Sequence, residues 1–461
     1  MTLNKGEKIM GEDNKFMKLL NDKLMSPMGK IASTRIVRAI MAAGLASIPF
    51  TIVGSMFLVL NILPTVFTGL TGFFNATFVK ITNLYMIANQ TTMGILALYF
   101  TIVIGYEYTR IIRDEEKVNL DPVNGALLAV FAFFMTIPEL VIKGGTFTLL
   151  NVTNKTETVI NGWRSGAGGL DRLGTGGIFT GIIMALLAVK IYQIIVQKNW
   201  VIRMPEQVPS GVSNSFTALI PTFVISFVVL LIDGILIAFN TDIYNVIAMP
   251  FSFVTNLTNS WLGIVVIELL ISLLWVLGIH GANIIGAFIT PITLNNLTLN
   301  AHGAHMIFAG EFNNMFVIIG GSGATLGLVF FMTFMAKSAQ LKTLGRAAIA
   351  PAFFNINEPI IFGAPVVYNP YLSIPFMLAP VVTSSLTYWS IKLGLTSQII
   401  AQMPWPSPVG IGAFLGTGGD WRSVILAFVN VIVAGLVYYP FARIYDKKLL
   451  AQEQANLAAE K

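Results

Sequence analysis

The chain contains no cysteine, which excludes disulfides, thiolate-bound metals and a cysteine nucleophile from within it. Charge is nearly as scarce: Lys, Arg, Asp and Glu make up 11% of the 461 residues, against about 25% in soluble domains, while 55% are hydrophobic. Mean hydropathy is +0.75. So few charges cannot cover that much apolar side chain without leaving large patches that aggregate, which excludes a soluble enzyme. Disorder is excluded too, because 33 Phe and long Ile/Leu/Val runs supply more burial than a disordered composition holds. The first 30 residues lack an apolar run long enough for a signal peptide and carry six Lys and four acids instead, so the N-terminus is expected to stay cytoplasmic. Net charge is +6, but the basic residues fall at the edges of apolar runs rather than clustering with aromatics. That pattern excludes nucleic acid as a partner and reads as membrane topology.

What the chain does have is an array of apolar runs near the ~20 residues that span a hydrocarbon core as a helix. They are Ile36–Leu63, Met93–Tyr106, Pro122–Ile142, Ile178–Gln193, Phe216–Phe239, Leu262–Ile279, Phe316–Met335, Tyr371–Ile391 and Val424–Phe441. A tenth is expected between Leu395 and Leu415, interrupted where Pro404, Pro406 and Pro408 break the pattern. Positive charge orients these spans, because cytoplasmic loops accumulate Lys and Arg. Eight lie in the segment up to Arg38, and further ones follow the second, fourth, seventh and last spans at Arg110, Lys198, Lys337 and Arg443. Those ends read as cytoplasmic. Residues 143–177 face outside by parity, against the sign of Lys143, Lys155, Arg164 and Arg172. Residues 204–336 hold no Lys or Arg at all. Parity fails inside that stretch, so residues 281–315 either cross once more or re-enter, broken by Gly281, Gly286, Pro291, Gly303 and Gly310, or else form a long loop.

Ionisable residues within the apolar regions are few, and each is a functional candidate because a charge at mid-membrane costs several kcal/mol unless paired or solvated. They are Glu139, Asp233, Glu268, His280, Glu311 and Glu358. Glu139 and Asp233 stand near span ends and read as solvated at the interface. Glu268 sits mid-run with no cation nearby in sequence, either as a structural hydrogen-bonder or as a working group. His280 is flanked by glycines, with Trp275 before it and Asn283 after it, a set that suits a sugar through planar polar partners and an aromatic face. The alternative is an ordinary satisfied histidine. In Asn355-Ile356-Asn357-Glu358-Pro359, two amides precede a carboxylate and proline stops the helix from continuing. This is either a desolvated general base among polar ligands or a kinked turn capped by its asparagines. His302 and His305 with Glu311 have metal-like spacing but no helical frame, so no metal site is expected. Gly320-Gly321-Ser322-Gly323-Ala324 lacks the lysine of a phosphate loop and reads as close helix packing through small residues.

Four segments then carry a family resemblance: Gly278-Ile279-His280-Gly281, the glycine run with Thr325, Asn355 through Gly363, and Met403-Pro404-Trp405. In order and spacing they resemble the membrane-embedded enzyme IIC of the lactose, cellobiose and diacetylchitobiose group in the bacterial phosphoenolpyruvate sugar phosphotransferase system. The resemblance implies an all-α polytopic membrane protein, a homodimer of subunits with about ten transmembrane helices and two re-entrant hairpins in the C-terminal half. It divides the chain into a cytoplasmic segment 1–33, a dimerising half 34–240, a sugar-binding half 241–443 and a cytoplasmic tail 444–461. It implies that the chain sits in the bacterial plasma membrane with both termini cytoplasmic. There it would carry a β-linked disaccharide, cellobiose ahead of lactose and diacetylchitobiose, and present its C6 hydroxyl for phosphorylation. The donor would be a phosphocysteine on a separate soluble IIB, itself served by IIA, which agrees with the missing cysteine; lipid is the remaining partner and no cofactor is required. By this resemblance His280 and Glu358 meet the C6 hydroxyl, with Glu358 as base, while Trp275 and Trp405 pack near the ring and Asn283, Asn355 and Asn357 complete the polar lining. The chain departs from the family's Pro-Trp-Thr-x-Pro with Pro404-Trp405-Pro406-Ser407-Pro408, so the hydroxyl that the family pattern carries just after the tryptophan is replaced by a proline. The rival reading is a proton-coupled sugar symporter in which Glu358, Glu268 or Glu311 binds the proton.

Overall fold

The computed structural model describes Lys30 and residues 33 to 459, apart from 67–68, 70, 138–139, 144–145, 150–171, 203, 206, 278–279, 365, 367–368 and 370. Glu139 and most of the 143–177 segment therefore lie outside the described residues. Among the described residues, six helical stretches are long and apolar enough to cross a membrane: Arg35–Leu58, Thr71–Glu116, Thr175–Gln197, Gly211–Ala238, Ser373–Lys392 and Trp421–Ala458. Pro122–Met135, Trp261–Val276 and Leu326–Met335 are shorter apolar helices.

Two expected spans come out differently. The run Pro122–Ile142 starts as a helix, with Asp121 accepting from the backbone N–H of Val123 and Asn124 and Pro122 at the first position. It stops at Met135, three residues before Pro138, whose ring disfavours helix in the residue ahead of it. The β-branched residues that follow form a strand, Leu140–Lys143, paired antiparallel with Thr146–Leu149. The described chain is thus mainly helical with one small hairpin. The run Phe316–Met335 is not one span either. Gly320, Gly321, Gly323 and Ala324 all adopt positive φ, which ends any helix there. On either side lie a π-helical turn, Asn313–Val317, and a short helix, Leu326–Phe330, that runs into a second π turn, Phe331–Met335. The glycine run therefore makes a turn rather than a helix, and its small residues do pack closely: a Cβ on Gly323 would fall 2.3 Å from the Phe376 ring.

Residues 281–315 contain a helix, Gly281–Ala301, that continues through Gly286 and Pro291 and breaks only at the positive-φ Gly303. The reading as one long loop is thereby overturned. The interruption expected around 404–408 is present, between Lys392 and the short helix Ile411–Gly416.

The chain folds as two compact units. One holds Ser33–Gly54 and Asn83–Asn256; the other takes in Ser55–Thr82 and the chain from Leu257 onward. In the first, helices Leu96–Glu116, Pro122–Met135 and Ile178–Gln197 pack through small residues: a Cβ on Gly125 would fall 1.9 Å from Thr109 Oγ1. The second unit is built on helices Trp261–Val276, Gly281–Ala301, Ser373–Lys392 and Trp421–Ala459. The site residues discussed below lie in that second unit, Asp233 excepted.

Candidate functional site

His280 precedes the Gly281–Ala301 helix as its cap, its Nδ1 accepting from the backbone N–H of Asn283 at 3.2 Å. Because Nδ1 is used as an acceptor, the neutral imidazole carries its proton on Nε2. The ring lies 4.3 Å from that of Trp275, centroid to centroid, tilted by 46°. Trp275 ends the preceding helix and is buried, and its indole N–H has no hydrogen-bond partner among the described residues. The two rings meet because the helices join closely: a Cβ on Gly281 would fall 2.1 Å from the Ile271 carbonyl oxygen. The Asn283 side chain is exposed, one turn into the helix.

Asn355 and Asn357 are both buried, and both amides are spent on the scaffold. Asn355 accepts from the Gly320 N–H at 2.8 Å and donates to the Asn314 carbonyl at 3.1 Å and the Trp405 carbonyl at 3.0 Å. One side chain thereby ties the glycine turn, the 313–317 turn and the proline-rich segment together. Asn357 donates to the Ser322 carbonyl at 2.7 Å and to Thr325 Oγ1 at 2.9 Å. It fits because a Cβ on Gly321 would stand 2.3 Å from the Asn357 amide carbon. Both N–H bonds of each amide are engaged, which leaves neither for a ligand. Glu358 opens the helix Glu358–Gly363 with Asn357 as cap residue and Pro359 second; its side chain lies outside what the structure describes.

Glu311 takes a larger part than its place in the sequence indicates. Its carboxylate accepts from the side-chain amides of Asn314 and Gln402, the latter 91 residues away. Together with Trp405, Ser407, Pro408 and Gly410 it lines a small cleft. Sequence reasoning missed Gln402 and Asn314, since nothing but chain folding brings them to Glu311. His302 and His305 turn instead to the Thr298 carbonyl and to Gln398 Oε1. Glu268 is fully buried on the face that carries Trp275 two turns later. Neither of its oxygens has a hydrogen bond of normal geometry among the described residues, and the Asn313 side chain faces it. Asp233, expected at a solvated interface, is buried in the other unit with one oxygen unpartnered among the described residues.

Comparison with known proteins matches residues 41–380 to the family model described as phosphotransferase system, EIIC. The chain is 34% identical to the lichenan permease IIC component of Bacillus subtilis (strain 168), over 95% of this chain and 96% of that one. It is 36% identical to the cellobiose-specific EIIC component of Geobacillus stearothermophilus, over 96% and 97% respectively. Among solved structures it resembles the IIC transporter of the N,N'-diacetylchitobiose-specific phosphotransferase system, with a TM-score of 0.84 at 34% identity over 95% of this chain and 99% of the other.

Proposed function

This chain belongs to the EIIC family of the phosphotransferase system, and we propose that it carries a β-linked disaccharide, cellobiose first, through the bacterial plasma membrane and presents the C6 hydroxyl to a phosphocysteine on a separate IIB protein. Family members are membrane permeases that act within the sugar phosphotransferase system beside IIB and IIA. The observation that carries the proposal is the likeness over 95% of the chain to permeases named for lichenan, cellobiose and diacetylchitobiose, all polymers or dimers of β-linked sugars.

In the proposed reaction the sugar's C6 oxygen attacks phosphorus, an O–P bond forms as the P–S bond breaks, the cysteine leaves as thiolate, and the hydroxyl proton passes to the Glu358 carboxylate. His280, held by its cap bond, donates Nε2–H to a sugar oxygen, with the Trp275 ring fixing the imidazole plane. Asn355 and Asn357 act by holding the turn that starts at Glu358. Positioning and one proton acceptor are all that the chain must supply, because the bond energy resides in the donor. The same proposal includes ten spans with two re-entrant hairpins, cytoplasmic termini in 1–33 and 444–461, a homodimer through 34–240 and a sugar-binding half in 241–443.

A symporter has one observation on its side, the fully buried and poorly partnered Glu268, which is where a coupling proton would reside. Vesicles loaded with phosphorylated IIB decide between the two. The phosphotransferase reading expects sugar to collect only as its 6-phosphate, at a rate that a protonophore leaves unchanged. Uptake of free sugar without IIB, abolished by the protonophore, overturns it.

A further inference from the structure

We infer that Glu268 is a positioning residue that works as a neutral carboxylic acid, paired with the Asn313 side chain so that the helix ending at Trp275 is joined to the turn that begins at Asn313. The inference rests on the phosphotransferase reading above, in which this group takes no step.

Glu268 is 0% exposed, and neither carboxyl oxygen has a hydrogen bond of normal geometry among the described residues. The Asn313 side chain faces it, and the Asn313 amide oxygen is buried and unbonded in the same way. Two facing side chains thus hold three buried oxygens with nothing to accept from. Among the described residues, the elements packed against Glu268 offer its charge no partner. Its own helix Trp261–Val276, the Gly281–Ala301 helix and the Asn313–Val317 turn contain no other Asp or Glu and no Lys or Arg. On the Ser373–Lys392 helix the one charged residue is Lys392, whose ammonium lies over the rings of Tyr388 and Trp389. His280 is turned to Trp275 and to the Asn283 N–H.

An ionised carboxylate only accepts, so it would leave the Asn313 oxygen unpaired and hold a full charge away from water. One proton resolves all three oxygens. A carboxylic acid offers an O–H and a C=O, and an amide offers a C=O and an N–H. Side by side, after rotation of the side chains, the two exchange a pair of hydrogen bonds. The proton comes from water as the chain folds and stays on Glu268; no step transfers it. Its place gives the pair a use. The helix that carries Glu268 ends at Trp275, whose ring meets His280. Asn313 is followed by Asn314, whose carbonyl receives Asn355, three residues before Glu358. The pair therefore ties the arm bearing the proposed hydroxyl ligand to the turns that brace the proposed base.

The test uses full-length wild type, Glu268→Gln and Glu268→Leu, with size exclusion and thermal unfolding to confirm folding. Infrared difference spectra, wild type minus Glu268→Gln, read the carboxyl directly: the expected result at neutral pH is the C=O band of a protonated acid, shifted in deuterated buffer. With cellobiose and phospho-IIB, Glu268→Gln, neutral and able both to donate and to accept, should keep kcat and KM within about twofold, whereas Glu268→Leu should lower kcat by about tenfold or more with a smaller change in KM. A carboxylate band in place of the acid band overturns the inference. So does a Glu268→Gln that fails to fold or loses as much activity as Glu268→Leu, because a charge or a moving proton is then the requirement; so does Glu268→Leu at wild-type rates. Should Glu268→Leu not fold, Asn313→Leu removes the same pair from the other side and must show the same loss in kcat. Wild type that phosphorylates no sugar with phospho-IIB overturns the phosphotransferase reading and the positioning role with it, while the acid band still decides the state of Glu268.

Discussion

Replacing Asn355 separates a brace from a ligand. The side chain is 7% exposed and serves three backbone groups: the Gly320 N–H and the carbonyls of Asn314 and Trp405. Asn355→Ala orphans all three. A buried unpaired polar group costs about 1–3 kcal/mol, and water reaches the half-exposed Trp405 end, so the loss should be near ~5 kcal/mol. Backbone adds to this, because Asn355 has φ +60°, a conformation that asparagine tolerates and alanine pays for at ~1 kcal/mol. Asn355→Gly should recover that last part and no more. Asn355→Asp should be at least as damaging as alanine despite its matching size, because it keeps the acceptor for Gly320 but points oxygen at two carbonyls. Thermal unfolding in detergent, followed alongside sugar binding, checks the series. Variants should lose stability and binding together, in the order glycine, alanine, aspartate. Asn355→Ala with wild-type stability but no sugar binding would refute the brace and make the amide a ligand.

Glu358→Gln and His280→Ala should each abolish sugar phosphorylation by phospho-IIB while the protein still inserts, and Glu358→Gln should keep measurable sugar binding because an amide retains hydrogen-bonding capacity. Wild-type rates in either sink the site. Arg172 pairs at 2.8 Å with Asp242, whose side chain is 0% exposed, and lies over the Tyr244 ring; Arg172→Gln strands a buried charge and should cost about 3–5 kcal/mol of thermal stability, part of it regained by adding Asp242→Asn. Burial alone would raise the Asp420 carboxyl, but bonds from the Arg422 guanidinium and from the Ser397 and Arg422 N–H groups hold it below its ordinary 3.8. Its stabilising effect is therefore complete above that value and lost as pH falls through the lower folded one, so melting profiles below pH ~4 should lose a component that Asp420→Asn lacks throughout. A cysteine placed at Lys342, in a chain with no other, should react with an impermeant label only from the cytoplasm; labelling from outside reverses the topology.

Long spans were readable because an uninterrupted apolar run leaves few alternatives. The helices at Ile178–Gln197, Leu219–Ala238 and Ser373–Lys392 match the runs within a few residues. Apolar content does not distinguish helix from strand, and so Pro122–Ile142 looked like one span when Pro138 and the β-branched residues after it make it two elements. Nor does it register backbone sign. The glycine run fits a packing stripe equally well in sequence, and only positive φ at Gly320, Gly321 and Gly323 shows a turn. Trp275 and His280 were identifiable as a pair from a spacing of five across a glycine break, and their rings do meet. Asn355 and Asn357 show what residue type leaves open: an amide announces donors without saying whether a ligand or a carbonyl receives them. Glu311 with Gln402 was out of reach as a pair, because the contact spans 91 residues and no sequence pattern links the two.

The asparagines have a common physical reason. Irregular backbone at membrane depth must find hydrogen bonds inside the protein, since lipid offers none. A charged side chain could supply them, but only at the expense of burying the charge. An amide presents a carbonyl and an N–H in nearly peptide geometry with no net charge, and so replaces a missing strand or turn. The second unit uses it repeatedly. Asn259 accepts from the N–H groups of Ile307 and Phe308, and Asn300 bonds Met306 through both its N–H and its carbonyl and reaches the Ile399 carbonyl as well. Asn430 donates to the Phe316 carbonyl and to Thr387. Each bond pins a broken segment near the turns that carry Glu311, Asn355 and Trp405, so those turns need no helix to stay in place. That frees the backbone around the proposed sugar site from regular geometry while leaving its groups paired. It also explains why charge is so sparse there: neutral amides do the bracing that buried charges would otherwise have to do.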